Sequence, residues 1–278
     1  MVIERLNALS PAAFQRDFVR KNWPVVITGV ADEWPAIRRW TPDYLASKFP
    51  DASVVYTAWE SDSPKNDPAD YYQNRRKHRT QLGSFINLMK TEKDFSRNYI
   101  TQFPVFRELP ELAGDIGSLD EYMQVPRSLH GRFKKPPTMW LGPAGTVTPI
   151  HFDGADNLLV QLFGRKKLTL IPPSQSRCLY YPCLRLGHVH YSPVDVEDPD
   201  LEQFPAYREA TPFEVTLEPG EMLFIPVRWW HHARSLDQAI SLNFWWFSIR
   251  SLLRMRHPYF TYQKYRLTKR LKVSTTSR

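Results

Sequence analysis

The chain has 278 residues, 42% of them hydrophobic, 24% charged and 14% aromatic. That composition excludes disorder and suffices for one large core or two small ones. The net charge of +8, from 37 Lys and Arg against 29 Asp and Glu, makes nucleic acid, an anionic membrane or an acidic protein a candidate partner until the surplus is located.

Nine basic residues and no acidic one lie between Arg250 and Arg278, so residues 1–249 carry 28 basic and 29 acidic groups and are nearly neutral. No apolar run approaches the roughly 20 residues of a membrane span. The start, Met1-Val2-Ile3-Glu4-Arg5-Leu6, is charged where a secretory leader is apolar. Two cysteines, Cys178 and Cys183, are too few for a disulfide scaffold or a cysteine-ligated zinc site. These features predict a soluble intracellular protein without membrane contact, cytoplasmic or, in a eukaryote, nuclear.

In chain order, Ser10-Pro11 starts a helix, with Ser as cap and Pro in the first turn, and turns Phe14, Phe18 and Val19 inward. Pro24–Gly29 reads as a buried strand. Thr41-Pro42-Asp43 opens a second helix, and Thr80 caps a third with Leu82, Phe85, Ile86 and Met89 inward. Arg75–Arg79, a basic run, and Asp195–Glu202, an acidic one, read as surface loops. Residues 1–135 are thus a mixed α/β region.

From Pro136 the pattern changes to short apolar runs broken by Gly and Pro: Thr138–Leu141, Val147–Phe152, Leu158–Phe163, Lys167–Ile171, Phe213–Leu217, Met222–Ile225 and Ile240–Phe247. Such spacing predicts an antiparallel sandwich or barrel over residues 136–249. Phe163-Gly164-Arg165-Lys166 reads as a hairpin turn, and Cys178–Thr211 as a long Pro-rich excursion from the barrel.

His151-Phe152-Asp153 lies on one of these strands. Residues i and i+2 share a face, so His151 and Asp153 point the same way. The strand Gly220–Pro226 runs on into Trp229-Trp230-His231-His232 and puts a histidine at a barrel mouth. Two histidines and a carboxylate can occupy one face of a metal and leave three positions open, the arrangement of non-haem Fe(II) oxygenases. Adjacent residues on an extended segment point oppositely, so only one of His231 and His232 can join. Taken alone, His-x-Asp is a common coincidence, Lys166 reads as a solvated turn lysine, and Tyr99 as a core tyrosine.

Thr148-Pro149-Ile150-His151-Phe152-Asp153, Asn157, Lys166, the strand through Ile225-Pro226, Trp230-His231 and Asn243-Phe244-Trp245 resemble the JmjC-domain (cupin-like) family of Fe(II)- and 2-oxoglutarate-dependent oxygenases, and its small hydroxylase branch most. Pro24–Trp40 and Tyr99–Leu112 are similar to the family's N-terminal region. The resemblance implies a mainly β, double-stranded β-helix (jelly-roll) core, with Fe(II) on His151, Asp153 and His231. It implies that 2-oxoglutarate meets Lys166, Thr148 and Tyr99, that Asn157 and Asn243 line the same region, and that Trp245 and Trp230 wall the substrate pocket. It further implies hydroxylation of an amino-acid side chain in a protein or peptide, with succinate and CO₂ as co-products. A tRNA nucleoside is the alternative substrate, and a non-catalytic cupin-like binding module the alternative of another class.

The basic segment 250–278 interleaves Tyr259, Phe260, Tyr262 and Tyr265 with Arg and Lys. It reads as a helical segment that packs on the barrel or pairs two copies into a homodimer. The other reading is an RNA-binding strip.

Overall fold

The computed structural model describes residues 2–59, 74–92, 95–125, 130–181 and 190–254. Thirteen strands form two sheets. They are β1 (Arg5–Asn7), β2 (Val25–Thr28), β3 (Ser53–Trp59), β4 (Arg75–Gln81), β5 (Asn98–Phe103), β6 (Thr138–Gly142), β7 (Val147–Phe152), β8 (Asp156–Phe163), β9 (Lys166–Ile171), β10 (Phe213–Leu217), β11 (Met222–Ile225), β12 (Trp230–Ser235) and β13 (Ala239–Trp246). The large sheet has the order β1-β2-β11-β8-β13-β6-β5-β3-β4, the small one β10-β9-β12-β7. Two facing, mostly antiparallel sheets, with β6–β9 and then β10–β13 alternating between them, are the expected jelly roll.

Period-two alternation divides the core. On β13, Ile240, Leu242, Phe244 and Trp246 face outward against the N-terminal helices and join Phe14, Trp34, Trp40 and Phe85 in the main cluster. Between the sheets, Leu159, Leu168, Leu170, Val215, Leu223 and Ile225 fill one end of the sandwich. Each such buried side chain contributes roughly 1.5–3 kcal/mol, so the apolar end fixes the spacing of the sheets. The polar side chains gather at the other end. A third cluster, with Ile150, Phe152, Leu179, Val194, Tyr207 and Trp230, covers the outer face of the small sheet. The described parts of the excursion from Cys178 therefore pack on the barrel rather than looping away. The acidic run at its centre is loop, as expected.

Both early caps are present: Ser10 Oγ accepts from Ala13 N at 3.3 Å and Thr41 Oγ1 from Tyr44 N at 3.1 Å. Several expectations need correction. Arg75–Arg79 is not loop but most of β4, an edge strand paired along its length with β3. Its side chains carry no apolar alternation because neither face is deeply buried. Thr80 lies in that strand; Gln81 precedes the helix Leu82–Thr91 and makes no side-chain cap. Gly164 does turn the chain, at φ +64 with space only for glycine against Gln238 O. The strands it joins do not pair, however: β8 belongs to the large sheet and β9 to the small one. Likewise Met222–Ile225 and Trp230–Ser235 are separate strands in different sheets. Of the C-terminal segment, the helix Ile249–Arg254 is described; the aromatic-basic part and its expected dimer or RNA contacts lie outside the described residues. No helix among the described residues is long and apolar enough to cross a membrane.

Candidate functional site

The polar end of the sandwich forms where β7 meets β12. Their register sets His151 directly opposite His231, and Asp153 follows just beyond β7. His151 Nε2 lies 3.9 Å from Asp153 Oδ1, and His231 Nε2 lies 3.8 Å from Asp153 Oδ2. Pairs at that separation can share one ion at bond lengths of about 2.0–2.2 Å. Among the described residues, this is the one group of three such ligands close enough to do so.

Each imidazole is held through its other nitrogen. His151 Nδ1 donates to the Pro149 carbonyl at 2.9 Å and His231 Nδ1 to the Trp229 carbonyl at 3.0 Å. A carbonyl only accepts, so the proton sits on Nδ1 and the Nε2 lone pair faces the common point. Burial, with His231 adding to it, lowers the His151 pKa to about 4, so the ring is neutral at pH 7. Burial pushes the Asp153 carboxyl up, but the two imidazoles and the Trp245 indole, donating to Oδ2 at 2.9 Å, hold it below its ordinary value. Two imidazole nitrogens and one carboxylate, with the rest of the coordination sphere open, fit Fe(II).

His232 is excluded by alternation. It lies on the opposite face of β12, where burial lowers its pKa to about 4, with Glu197 opposing that shift. Trp230 shares that outer face, stacks edge-on to Phe152 at 4.8 Å and donates to Ser176 Oγ at 2.9 Å. The expectation that Trp230 walls the substrate pocket is therefore corrected: β12 turns it away from the metal ligands.

Thr148 is placed by a bulge. His231 pairs with His151 but Ala233 with Thr148, so β7 carries one residue more than β12 between these points. Thr148 lies three residues before His151 and would otherwise face away. The extra residue returns it to the inner face, which Ala233 and His231 share.

Lys166, Leu168 and Leu170 line that same inner face from β9. Lys166 is 3% exposed, not a turn lysine in water. Its ammonium donates to the Tyr99 hydroxyl at 3.1 Å and to the Ser241 hydroxyl. No carboxylate among the described residues pairs with it, and burial alone lowers its pKa to about 7. Burying an ammonium costs several kcal/mol, and two neutral hydroxyls offset little of that. The position calls for an anion. Nearby polar atoms point to the same conclusion: Asn157 Oδ1, Thr138 Oγ1 and Trp140 Nε1 are buried without a protein hydrogen-bond partner, and Asn243 faces inward between Ser241 and Trp245. Orphaned donors and acceptors beside an unpaired cation and a metal-ligand set suit a small polyanion that also chelates the metal, as 2-oxoglutarate does.

Trp245 reaches both the site and the surface. It fixes Asp153 and lines a cleft of about 370 Å³ with Gln102, Pro104, Lys135, Pro136 and Phe247. Tyr191 was not foreseen from the sequence; its ring lies 5.7 Å from that of His151. Ser241 was missed although the alternation of β13 turns it inward with Asn243.

The profile of the Cupin-like domain matches residues 11–251. The chain belongs to the Cupin-like domain family. Relatives bear out the JmjC resemblance. The chain is 33% identical over 244 residues to lysine-specific demethylase 8 of Xenopus tropicalis, across 88% of this chain and 52% of that protein. It is 28% identical over 252 residues to Jumonji C domain-containing protein 5 of Drosophila melanogaster, across 88% and 59%. It is 26% identical over 263 residues to the human bifunctional peptidase and (3S)-lysyl hydroxylase JMJD7, across 85% and 81%. This cupin-like chain thus spans little more than half the length of the first two.

Proposed function

We propose that this cupin-like chain is an Fe(II)- and 2-oxoglutarate-dependent dioxygenase that hydroxylates an amino-acid side chain in a protein or peptide. The observation that carries the reading is Lys166: a buried cation with no carboxylate partner among the described residues, on the same inner face as His151 and His231. A dicarboxylate with one end on the metal and the other on Lys166 satisfies both. When bound, the iron and 2-oxoglutarate supply O₂ activation with oxidative decarboxylation to succinate and CO₂, coupled to hydroxylation of a C–H bond.

The protein's own residues hold this chemistry in place. The Pro149 and Trp229 carbonyls keep both imidazoles in the ligating tautomer, and Trp245 orients Asp153. Lys166, Tyr99 and Thr148 would receive the distal carboxylate. The aliphatic residues below them exclude water from that end. A cleft walled by Pro104, Pro136, Trp245 and Phe247 beside Asp153 suits an extended peptide that presents one side chain. The relatives' names, lysine demethylase and lysyl hydroxylase, also favour a protein substrate. The tRNA alternative rests on the tail beyond Arg254, and no described feature favours it. A non-catalytic module has no use for both a complete ligand set and an unpaired buried lysine.

Incubation with Fe(II), 2-oxoglutarate and O₂ tests the reading. Wild type should release succinate even without substrate, and His151→Ala should not. Mass spectrometry of host proteins, peptides and tRNA treated with either protein should then find one added oxygen in a protein target. Equal succinate from both proteins would refute the proposal.

A further inference from the structure

Asp156 opens β8 three residues after Asp153, and its carboxyl is buried at 1% exposure. It does not face the metal ligands: its strand partner is Trp246, on the outer side of the large sheet. A buried carboxyl is costly unless bonded, so its partners explain it. Oδ1 accepts from Val227 N at 3.0 Å, and Oδ2 accepts from the Ser248 hydroxyl at 3.4 Å. Val227 lies in the turn that carries the chain from β11 across to β12 and so sets where His231 begins. One residue on, Arg228 N donates to the carbonyl of Asp153 itself at 3.1 Å, and Arg228 sits at φ +67, a strained value for a non-glycine residue.

Two bonds therefore join the loop holding one metal ligand to the turn preceding another. One is backbone to backbone. The other depends wholly on Asp156.

The second carboxylate oxygen extends the latch to the C-terminus. Ser248 and Ser251 cap the helix Ile249–Arg254 reciprocally, with Ser251 N donating to Ser248 Oγ at 3.0 Å and Ser248 N to Ser251 Oγ at 2.7 Å, the arrangement of a capping box. The helix end returns to the same turn, where Arg228 Nη1 donates to the Arg254 carbonyl at 3.3 Å. Burial raises the Asp156 pKa to about 6, against the bonds from Val227 and Ser248 and the charge of Arg254, so near pH 7 the carboxylate is mostly ionised and accepts both bonds.

We propose that Asp156 is a positioning residue for the metal centre: it latches the Asp153 loop to the turn that presents His231 and anchors the C-terminal helix to both. The inference rests on the metal site proposed above but concerns how that site is held, not what it catalyses.

Titration of the full chain with Co(II), a spectroscopic stand-in for Fe(II), tests it by affinity and by the shape of the visible absorption band. Asp156→Ala leaves Val227 N unbonded and should weaken Co(II) about tenfold, within the range seen when outer groups that orient ligands are removed. It should also alter the band. Asp156→Asn keeps an acceptor for Val227 and a donor for Ser248, and should bind as wild type does. If the alanine variant does not fold, Asp156→Gln, with the same amide one methylene too far, should show the weakened affinity instead. Ser248→Ala should lose two- to threefold. Wild-type affinity and band in Asp156→Ala, or in Asp156→Gln where alanine does not fold, would overturn the proposal. A wild type that fails to bind Co(II) would instead sink the metal site itself.

Discussion

The two sheets give the site different chemistry. The small sheet faces it with ionisable groups, His151 and His231 on paired strands and Lys166 at the start of β9, with Asp153 just past β7. The large sheet answers with neutral groups, Tyr99, Ser241, Asn243, Asn157 and Trp245, of which three bond the charged ones directly. Ligation and charge thus sit on three strands of the small sheet, β7, β9 and β12, and the opposite wall orients them. Deleting a group from the small sheet should remove a binding event, whereas deleting one from the large sheet should only loosen it.

The largest expected effect is therefore on β7. His151→Ala removes a ligand outright and should lower divalent-metal affinity by at least about a hundredfold in a Co(II) titration, at or above the upper end of what removing an orienting group costs. Residual wild-type affinity would remove the triad from the account.

Lys166→Met comes next and should act in two directions. It should weaken 2-oxoglutarate by about a hundredfold, the 2–5 kcal/mol usual for deleting one partner of a buried charge pair, while leaving Co(II) affinity intact. Because this ammonium is buried with no counter-ion among the described residues, the same variant should melt higher than wild type. A lower melting temperature with unchanged 2-oxoglutarate affinity would show a purely structural lysine.

The pH dependence follows from the same residue. With a pKa near 7 in the free protein, Lys166 is mostly protonated below pH 7 and binds the dicarboxylate fully there. A bound dianion raises that pKa, so binding takes up a proton. The affinity for 2-oxoglutarate should fall as pH rises above about 7, by up to tenfold per unit. Calorimetry in buffers of different ionisation enthalpy should detect the proton uptake, and affinity flat from pH 7 to 9 would contradict it.

Effects from the large sheet should be smaller. Trp245→Phe removes the donor on Asp153 Oδ2 and should weaken Co(II) by about tenfold. Tyr99→Phe and Ser241→Ala each remove one hydroxyl from Lys166 and should weaken 2-oxoglutarate several-fold, about 1 kcal/mol each. If either large-sheet variant matches Lys166→Met, the division between the sheets fails.

The same division explains what could be read from the sequence. Metal ligands are legible because His-x-Asp on a strand and a distal histidine are local patterns, and the short apolar runs around them mark the strands. The facing of Trp230 was not legible from neighbouring residues. It follows from Trp230 starting β12 in the small sheet, a tertiary fact, and local sequence suggested a continuous strand from Gly220. Thr148 faces the site through a bulge, which only the pairing of β7 with β12 reveals. Lys166 looks like a turn lysine because its burial depends on Tyr99 and Ser241, 67 and 75 residues away. The sequence of β4 resembles a loop because charged residues on an edge strand erase the alternation that betrays strands.

The central claim is that the triad and Lys166 form one site, bridged by one dicarboxylate. Anaerobic addition of 2-oxoglutarate to the Fe(II)-loaded protein tests it most directly, by the visible metal-to-ligand absorption band that chelation produces. The band should saturate in wild type, need about a hundredfold more 2-oxoglutarate in Lys166→Met, and be absent in His151→Ala. A band with the same concentration dependence in wild type and Lys166→Met, or no band in wild type, would contradict it.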